Sequence, residues 1–298
     1  MRSRLAALLL GLCLAAPALA EQTVHVGLRA DAPPFSWLKT SGSGAQYTGF
    51  LVDLCRGAFQ GTDFRIVEVG VTASDRFDQL RLGGAQGGVD MLCEPTSIQL
   101  RSITEFLVSS VVFATGVGYL RHDYADPKEA TSVIGRLDGT TAEAAIHIAL
   151  QKGALPALDP AKQRIVVVKS HLEGIEKVCS GEFQYYFGDL DILNGLQKNV
   201  RNCDRITTSQ HTFFSFEAYA LTVNAARSDV AIALQAGIYR QFSDGSATAY
   251  YKTHFDERPR SGPLTAVFAL NAALPCNIEA VSPDPCQTLR SGAARSGQ

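Results

Sequence analysis

The sequence predicts an α/β protein of two lobes joined by two chain crossings, with a ligand cleft between them. Three observations carry this reading. The residues from Thr23 to Arg101 read as strand–helix–strand–helix–strand, a parallel α/β unit. A strand-like stretch, Phe106 to Leu120, then leads into a second run of alternating elements, and Ala218 to Val223 provides a return crossing. A chain of 298 residues is also too long for one small domain.

In the first run, Thr23 to Leu28 alternates as a strand does, and Pro33-Pro34 ends it and stiffens the loop. Gly49 opens an amphipathic helix with Phe50, Leu51, Leu54, Cys55, Ala58 and Phe59 on one face. A strand from Phe64 to Val69 leads to Ser74-Asp75-Arg76-Phe77 and a short helix that ends at Gly83-Gly84. In the second run, Thr140 to Glu143 reads as a capping box ahead of the helix Ala142 to Gln151. Arg164 to Lys169 is a predicted strand, His171 to Cys179 a helix, and Phe183 to Phe187 a strand that ends at Gly188-Asp189. Helix Ile192 to Lys198 and a strand around Thr207 follow. After the return crossing, Ser228 caps a long helix, and another runs from about Thr248 to Phe255.

The first twenty residues have the grammar of an export leader: Arg2 and Arg4, an apolar run from Leu5 to Ala16, and Ala18-Leu19-Ala20 as the cleavage site. The expected organisation is a signal peptide over 1–20, lobe 1 over 21–118, lobe 2 over 119–221, a return to lobe 1 over 222–286, and a disordered polar tail over 287–298. Leu12 before Cys13 is too bulky for the lipidation pattern. The charge of −2 and the lack of basic runs argue against nucleic acid as a partner. The expected product is exported and soluble.

Beyond the leader lie six cysteines, an even number suited to disulfides in an exported chain. Cys55 lies on the apolar face of the first helix and Cys93 ends the strand that packs beneath it; Cys179 and Cys203 bracket the Asp189 segment; Cys276 and Cys286 close a short loop. The predicted pairs are 55–93, 179–203 and 276–286. No spacing resembles a metal site, and no cofactor is expected.

The stretch of most chemical interest is V-D-M-L-C-E-P-T-S-I-Q-L-R, Val89 to Arg101. A short buried strand stops at Pro95, and Thr96 or Ser97 is suited to cap a helical turn. Arg101 and Thr96 are spaced to reach one anion, where turn N–H groups and a forked guanidinium would grip a carboxylate.

Together with this stretch, V-G-L-R-A-D-A-P-P-F-S-W (from Val26), Y-T-G-F-L-V-D-L-C (from Tyr47), T-A-S-D-R-F-D-Q-L (from Thr72), G-T-T-A-E (from Gly139), K-S-H-L-E-G (from Lys169) and F-G-D-L-D-I-L (from Phe187) occur in order. In that order the chain resembles the family 3 periplasmic solute-binding proteins, which serve amino-acid ABC importers. The resemblance implies the two-lobed type II fold, a free amino acid as ligand, a membrane permease as partner, and a periplasmic monomer. It implies that Arg101, with Thr96 and Thr141, holds the ligand α-carboxylate and that Asp189 accepts the α-ammonium. Thr140 keeps a capping role. The chain looks most like the glutamate/aspartate-binding branch, which has Arg at the positions of Arg29 and Arg76 and His at that of His171; an acidic or polar ligand follows. Glu94 departs from the pattern, either reinforcing ammonium binding or neutralising an arginine. Ala73 replaces a hydroxyl residue, and Ala32 removes a stacking aromatic for which Phe35 or Trp37 would substitute.

Two other roles compete: an enzyme on the same scaffold, like the periplasmic cyclohexadienyl dehydratases, with Glu94 as acid or base, and a sensor that reports ligand occupancy to a membrane partner. The lack of a nucleophile–base pair favours a binding protein over an enzyme.

Overall fold

The computed structural model describes residues 22–273, except 43, 156, 157, 160, 210 and 211 and the side chain of Arg101. The predicted leader, the polar tail and the Cys276–Cys286 pair lie outside these residues.

In chain order the elements are β1 (Gln22–Arg29), β2 (Asp31–Ala32), β3 (Ser36–Ser41), β4 (Gly44–Thr48), α1 (Phe50–Phe59), β5 (Phe64–Val71), α2 (Arg76–Leu82), β6 (Met91–Leu92) and α3 (Leu100–Glu105). Then come β7 (Leu107–His122), β8 (Val133–Leu137), α4 (Ala142–Gln151), β9 (Arg164–Val168), α5 (His171–Cys179), β10 (Tyr185–Asp189), α6 (Leu190–Gln197) and β11 (Ile206–Thr208). The chain returns through β12 (Ser215–Val223) to α7 (Ser228–Ser243), α8 (Ser246–His254) and α9 (Gly262–Ala273).

The sheet order is β5-β1-β6-β12-β7-β10-β8-β9, with β11 also on β7. The two crossings hold this order together. Strand β7 pairs with β12 from Leu107 to Val117, and from Val117 to Arg121 it pairs with β10. One continuous strand of sixteen residues thus belongs to both lobes. In the first lobe β1 is parallel to β5 and β6; in the second β8 is parallel to β9 and β10. Parallel pairing puts strand ends and helix starts on one edge of each lobe, which is where such sheets bind ligands.

The first lobe is held by α1, α7 and α8 on the sheet, with Phe50, Leu54, Leu234 and Ile238 buried in one cluster. Fully burying each such side chain stabilises the fold by roughly 1.5–3 kcal/mol. The second lobe has a cluster on each face of its sheet, around Ile146 and Phe187 and around Ile175 and Leu193. Cys55–Cys93 and Cys179–Cys203 are disulfides, as the sequence predicts.

Two local expectations are corrected. Thr96 and Ser97 start no helical turn: Ile98 N–H donates to Ala218 O (2.9 Å) and Ala220 N–H to Thr96 O (3.2 Å), so the return crossing keeps this backbone extended. The helix begins instead at Leu100, with Gln99 as its cap. The Thr140–Glu143 capping box is also not formed. The Thr140 hydroxyl donates to Leu137 O (2.9 Å), Glu143 pairs with Arg136 (3.0 Å), and Thr141 is the cap residue, without a side-chain bond.

Candidate functional site

At the strand ends where the lobes meet, one cavity is lined by Arg29, Arg76, Pro95, Ser97 and Gln99 from the first lobe, and by Thr140, Thr141, Ala142, His171, Gly188 and Asp189 from the second. Its free volume is about 20 Å³, room for roughly one water molecule. The lobes are therefore closed on each other, and an amino acid enters only if they part. A wider groove of about 1020 Å³ runs between Trp37, Leu38 and α6. The buried charges converge on the smaller cavity, and we take that one as the site.

Arg29 ends β1 and is 2% exposed. Its Nε donates to Asp31 Oδ1 (2.9 Å), and Nη2 lies 2.8 Å from the same oxygen without alignment for a hydrogen bond. Burial pulls this guanidinium down, but Asp31 and Glu94 outweigh it and hold it above the usual arginine value. Burial likewise pushes Asp31 up, and Arg29 with the His171 backbone more than offsets that, leaving the carboxyl below its ordinary range.

Arg76 opens α2. Its Nη1 donates to Ala73 O, and its Nη2 crosses the cleft to donate to Gly139 O (3.1 Å). Its Nε lies 3.2 Å from Glu94 Oε1, again without hydrogen-bond alignment. Glu94, fully buried behind Arg76, accepts from the Thr96 hydroxyl through the same oxygen; its other oxygen, Oε2, is buried without a partner. Burial and Arg29 pull the Arg76 guanidinium down, Glu94 opposes them, and the net is below the usual value.

In the second lobe His171 is the first residue of α5, buried, with Nδ1 3.0 Å from the Tyr186 hydroxyl. Burial and then Arg29 push its pKa down to about 3, so the ring is neutral at ordinary pH. Asp189 ends β10. The Tyr219 hydroxyl donates to its Oδ2, while Oδ1 is buried without a partner. Burial, with Glu217 next, pushes Asp189 up to about 7.

Arg29, Arg76, Thr141, His171 and Asp189 thus line one cavity, and Glu94 and Thr96 stand behind Arg76; the Arg101 side chain lies outside the described residues. The sequence reading missed Tyr219 and Gln99 and the Arg29–Asp31 pair. The pair had a signal, because residues two apart on extended chain share a face. Tyr219 had none, since the return crossing reaches Asp189 only through the fold. Phe35 is no stacking substitute: it is buried against Phe113 (4.7 Å) and Tyr219 (5.1 Å). Trp37 packs on His254 at 5.5 Å, outside the cavity lining. Among the described residues no cluster of His, Cys, Asp or Glu could hold a metal ion, and no helix is long and apolar enough to cross a membrane.

The profile of the bacterial extracellular solute-binding proteins, family 3, matches residues 24–257. The chain belongs to this family. The solute-binding protein is 31% identical over 123 residues to YhdW of Escherichia coli K12, an amino-acid ABC transporter-binding protein by name. That match spans 40% of this chain and only 33% of the relative. Among solved structures, an ancestral arginine-binding protein bound to glutamine superposes with a TM-score of 0.63 at 18% identity, covering 78% of this chain and 97% of that one. An amino acid ABC transporter substrate-binding protein from Streptococcus pneumoniae, bound to L-arginine, gives 0.62 at 14% identity, with 79% and 95% covered. An ancestral amino acid-binding protein described as a precursor of cyclohexadienyl dehydratase gives 0.61 at 20% identity, with 78% and 95% covered. At these identities the solved structures establish the two-lobed fold alone.

Proposed function

We propose that this protein captures a free polar amino acid by closing its lobes, and delivers it in the periplasm to the permease of an ABC-type importer. On this reading lobe 1 is 21–118 with 222–286, lobe 2 is 119–221, and the leader is removed after Ala20. Arg29, Arg76, Glu94, Thr96, Arg101, Thr141, His171 and Asp189 form the ligand site. The supporting observation is that charged groups from both lobes converge on one closed cavity, where Asp189 Oδ1 and, behind Arg76, Glu94 Oε2 are buried without a partner. Buried acceptors of this kind are costly unless a donor reaches them. A ligand that contacts both lobes favours the closed state by its differential affinity.

The charge balance refines the ligand class. Asp31 is paired with Arg29 and Glu94 with Arg76, so neither cation calls for an acidic side chain. Within the acidic-or-polar class this favours a neutral polar amino acid. A thermal-shift panel of the twenty amino acids tests the proposal. At a hundredfold excess over Kd a ligand adds about 2.7 kcal/mol, which raises Tm by roughly 5–10 °C at this size. If no amino acid shifts Tm, the proposal fails.

A second reading, an enzyme on this scaffold, is favoured by one observation: a fully buried Glu94 and an Asp189 pushed up to about 7, close to the pH at which a general acid works. Its test is whether the best-stabilising compound is recovered unchanged after prolonged incubation.

A further inference from the structure

We propose that Tyr219 is a positioning residue for ligand capture: its hydroxyl, carried on the return crossing, holds one oxygen of Asp189 and leaves the other to the ammonium of a bound amino acid. The inference rests on the amino-acid-binding reading, with Asp189 as the acceptor, and goes beyond it by naming the group that sets this acceptor.

Tyr219 stands in β12 and is 1% exposed. Its ring belongs to the core of the first lobe, where Phe35 meets it edge-on at 5.1 Å and Phe113 lies stacked at 6.2 Å. A ring packed in this way has one place to put its hydroxyl. The backbone is held as well: Tyr219 bridges Ser97, and Ala220 N–H donates to Thr96 O at 3.2 Å. From this fixed point the hydroxyl donates to Asp189 Oδ2 at the end of β10. The bond thus runs from the core of one lobe to a strand end of the other. With Oδ2 anchored, Oδ1 is the free acceptor, buried without a partner on a residue that lines the cavity.

The same bond bears on charge. Three carboxylates crowd this point: Asp189, Glu217 on the same face of β12 as Tyr219, and Asp191 in the first turn of α6. Glu217 accepts from the Ser215 hydroxyl (2.5 Å), and Asp191 from the Thr115 hydroxyl (2.8 Å) and Arg258 (2.6 Å). Of the three, Asp189 is the one with a buried oxygen that meets no donor among the described residues. Burial and then Glu217 push its carboxyl up to about 7; the Tyr219 hydroxyl is the strongest group opposing them, with Asp191 raising and Arg29 lowering it by less. Arg76 and the neutral His171 are the other charged or titratable groups on the cavity wall. Burial and then Asp189 raise the phenol itself well above its usual value, so it stays a donor at any working pH. Closure strips water from Asp189, and the phenol O–H takes the place of that water in holding its charge.

The experiment titrates the amino acid that most stabilises the wild type into wild type and Tyr219→Phe, by calorimetry, between about pH 6 and about pH 9. The phenylalanine keeps both ring contacts and removes only the hydroxyl. It should bind roughly ten- to a hundredfold more weakly at about pH 7, the worth of a hydrogen bond to a charged group. The gap should close to below about 3-fold at about pH 9, where Asp189 ionises without help. The amine of the ligand titrates alike in both series, so the ratio is free of it. Proton release on binding at about pH 8, read from heats in two buffers, should be larger in Tyr219→Phe than in the wild type. A fluorinated tyrosine in place of Tyr219, a stronger donor of nearly the same shape, should move the affinity profile toward lower pH, which guards against Tyr219→Phe failing to fold. Equal affinity of Tyr219→Phe and wild type at about pH 7, or a loss of the same size at every pH, overturns the assignment. So does a fluorotyrosine profile left in place or moved upward. If no amino acid binds the wild type, the function proposal falls and this inference falls with it; if one binds and only the Tyr219 comparisons disagree, the positioning role alone is wrong.

Discussion

Gly139→Ala separates closure from folding. Gly139 has φ +67°, and a Cβ there would stand 2.8 Å from Ala73 C and from Ser74 Cα in the opposite lobe, and closer still to Ala73 O. All three are backbone atoms, so no side chain can rotate away. Two costs follow. The left-handed backbone costs an alanine about 1–2 kcal/mol whether the lobes are open or closed. The clash exists only in the closed form, and relieving it parts the lobes by about an ångström, which breaks the Arg76 Nη2 to Gly139 O bond of 3.1 Å. A hydrogen bond from a charged donor is worth about 1.5–3 kcal/mol, so amino-acid affinity should fall roughly ten- to a hundredfold. The control is Gly153→Ala: φ is +59° and nothing lies within 4 Å of the added methyl, so it carries the backbone cost alone. Both variants should lose a few degrees of Tm, and only Gly139→Ala should lose affinity and show a larger radius of gyration in solution scattering with the amino acid present. If the two variants bind equally well, the Ala73–Gly139 contact is not part of the bound form.

Further outcomes are expected at two titrating groups and one disulfide. Burial raises the folded-state pKa of Asp189 to about 7, above its unfolded value, so its contribution to stability is full below pH ~4 and lost as pH rises through about 7; Asp189→Asn should remove that slope from a denaturant–pH series. An ammonium that requires ionised Asp189 should also release a proton on binding near neutral pH, seen as calorimetric heats that depend on the buffer. His171 has the opposite sign. Its folded pKa near 3 lies below the unfolded value, so its contribution is full above pH ~6.5 and fades as pH falls toward 3, and His171→Gln should flatten that limb. The Cys55–Cys93 link spans 38 residues, for which chain entropy predicts about 4 kcal/mol; the paired Cys55→Ala, Cys93→Ala variant should lose stability of that order in urea titration, and an unchanged midpoint would refute the estimate.

What the sequence made legible follows from the range of each signal. Helix α1 begins at Phe50 after Gly49, as its apolar period requires, and α5 runs from His171 to Cys179 as read from the residues. The β3–β4 hairpin escaped because S-W-L-K-T-S and G-A-Q-Y-T are polar and largely exposed, so no buried face imprints a period of two. Strand β8 escaped because V-I-G-R-L is too short to choose between a strand and a loop.

At the site the limit is different in kind. Residue types disclosed the chemistry: forked cations, a carboxylate at a strand end, threonines at a helix start. They did not disclose its net charge. Along the chain, Arg29 and Arg76 ask for an acidic ligand unless a carboxylate such as Glu94 neutralises one of them, and the residues leave that choice open. In the fold each has a carboxylate, Asp31 two residues away and Glu94 eighteen away, the latter delivered because β6 lies beside β1 and sets the Glu94 loop under α2. A carboxylate supplied by the protein removes the electrostatic reason for one supplied by the ligand, since a second anion would have to displace the first or share its cation. Removing Asp31 or Glu94 should therefore move the preference toward acidic amino acids. In Glu94→Gln, glutamate should gain affinity relative to glutamine in the thermal-shift panel, and a loss for both alike would show that Glu94 touches the ligand directly instead of setting the charge that the ligand meets.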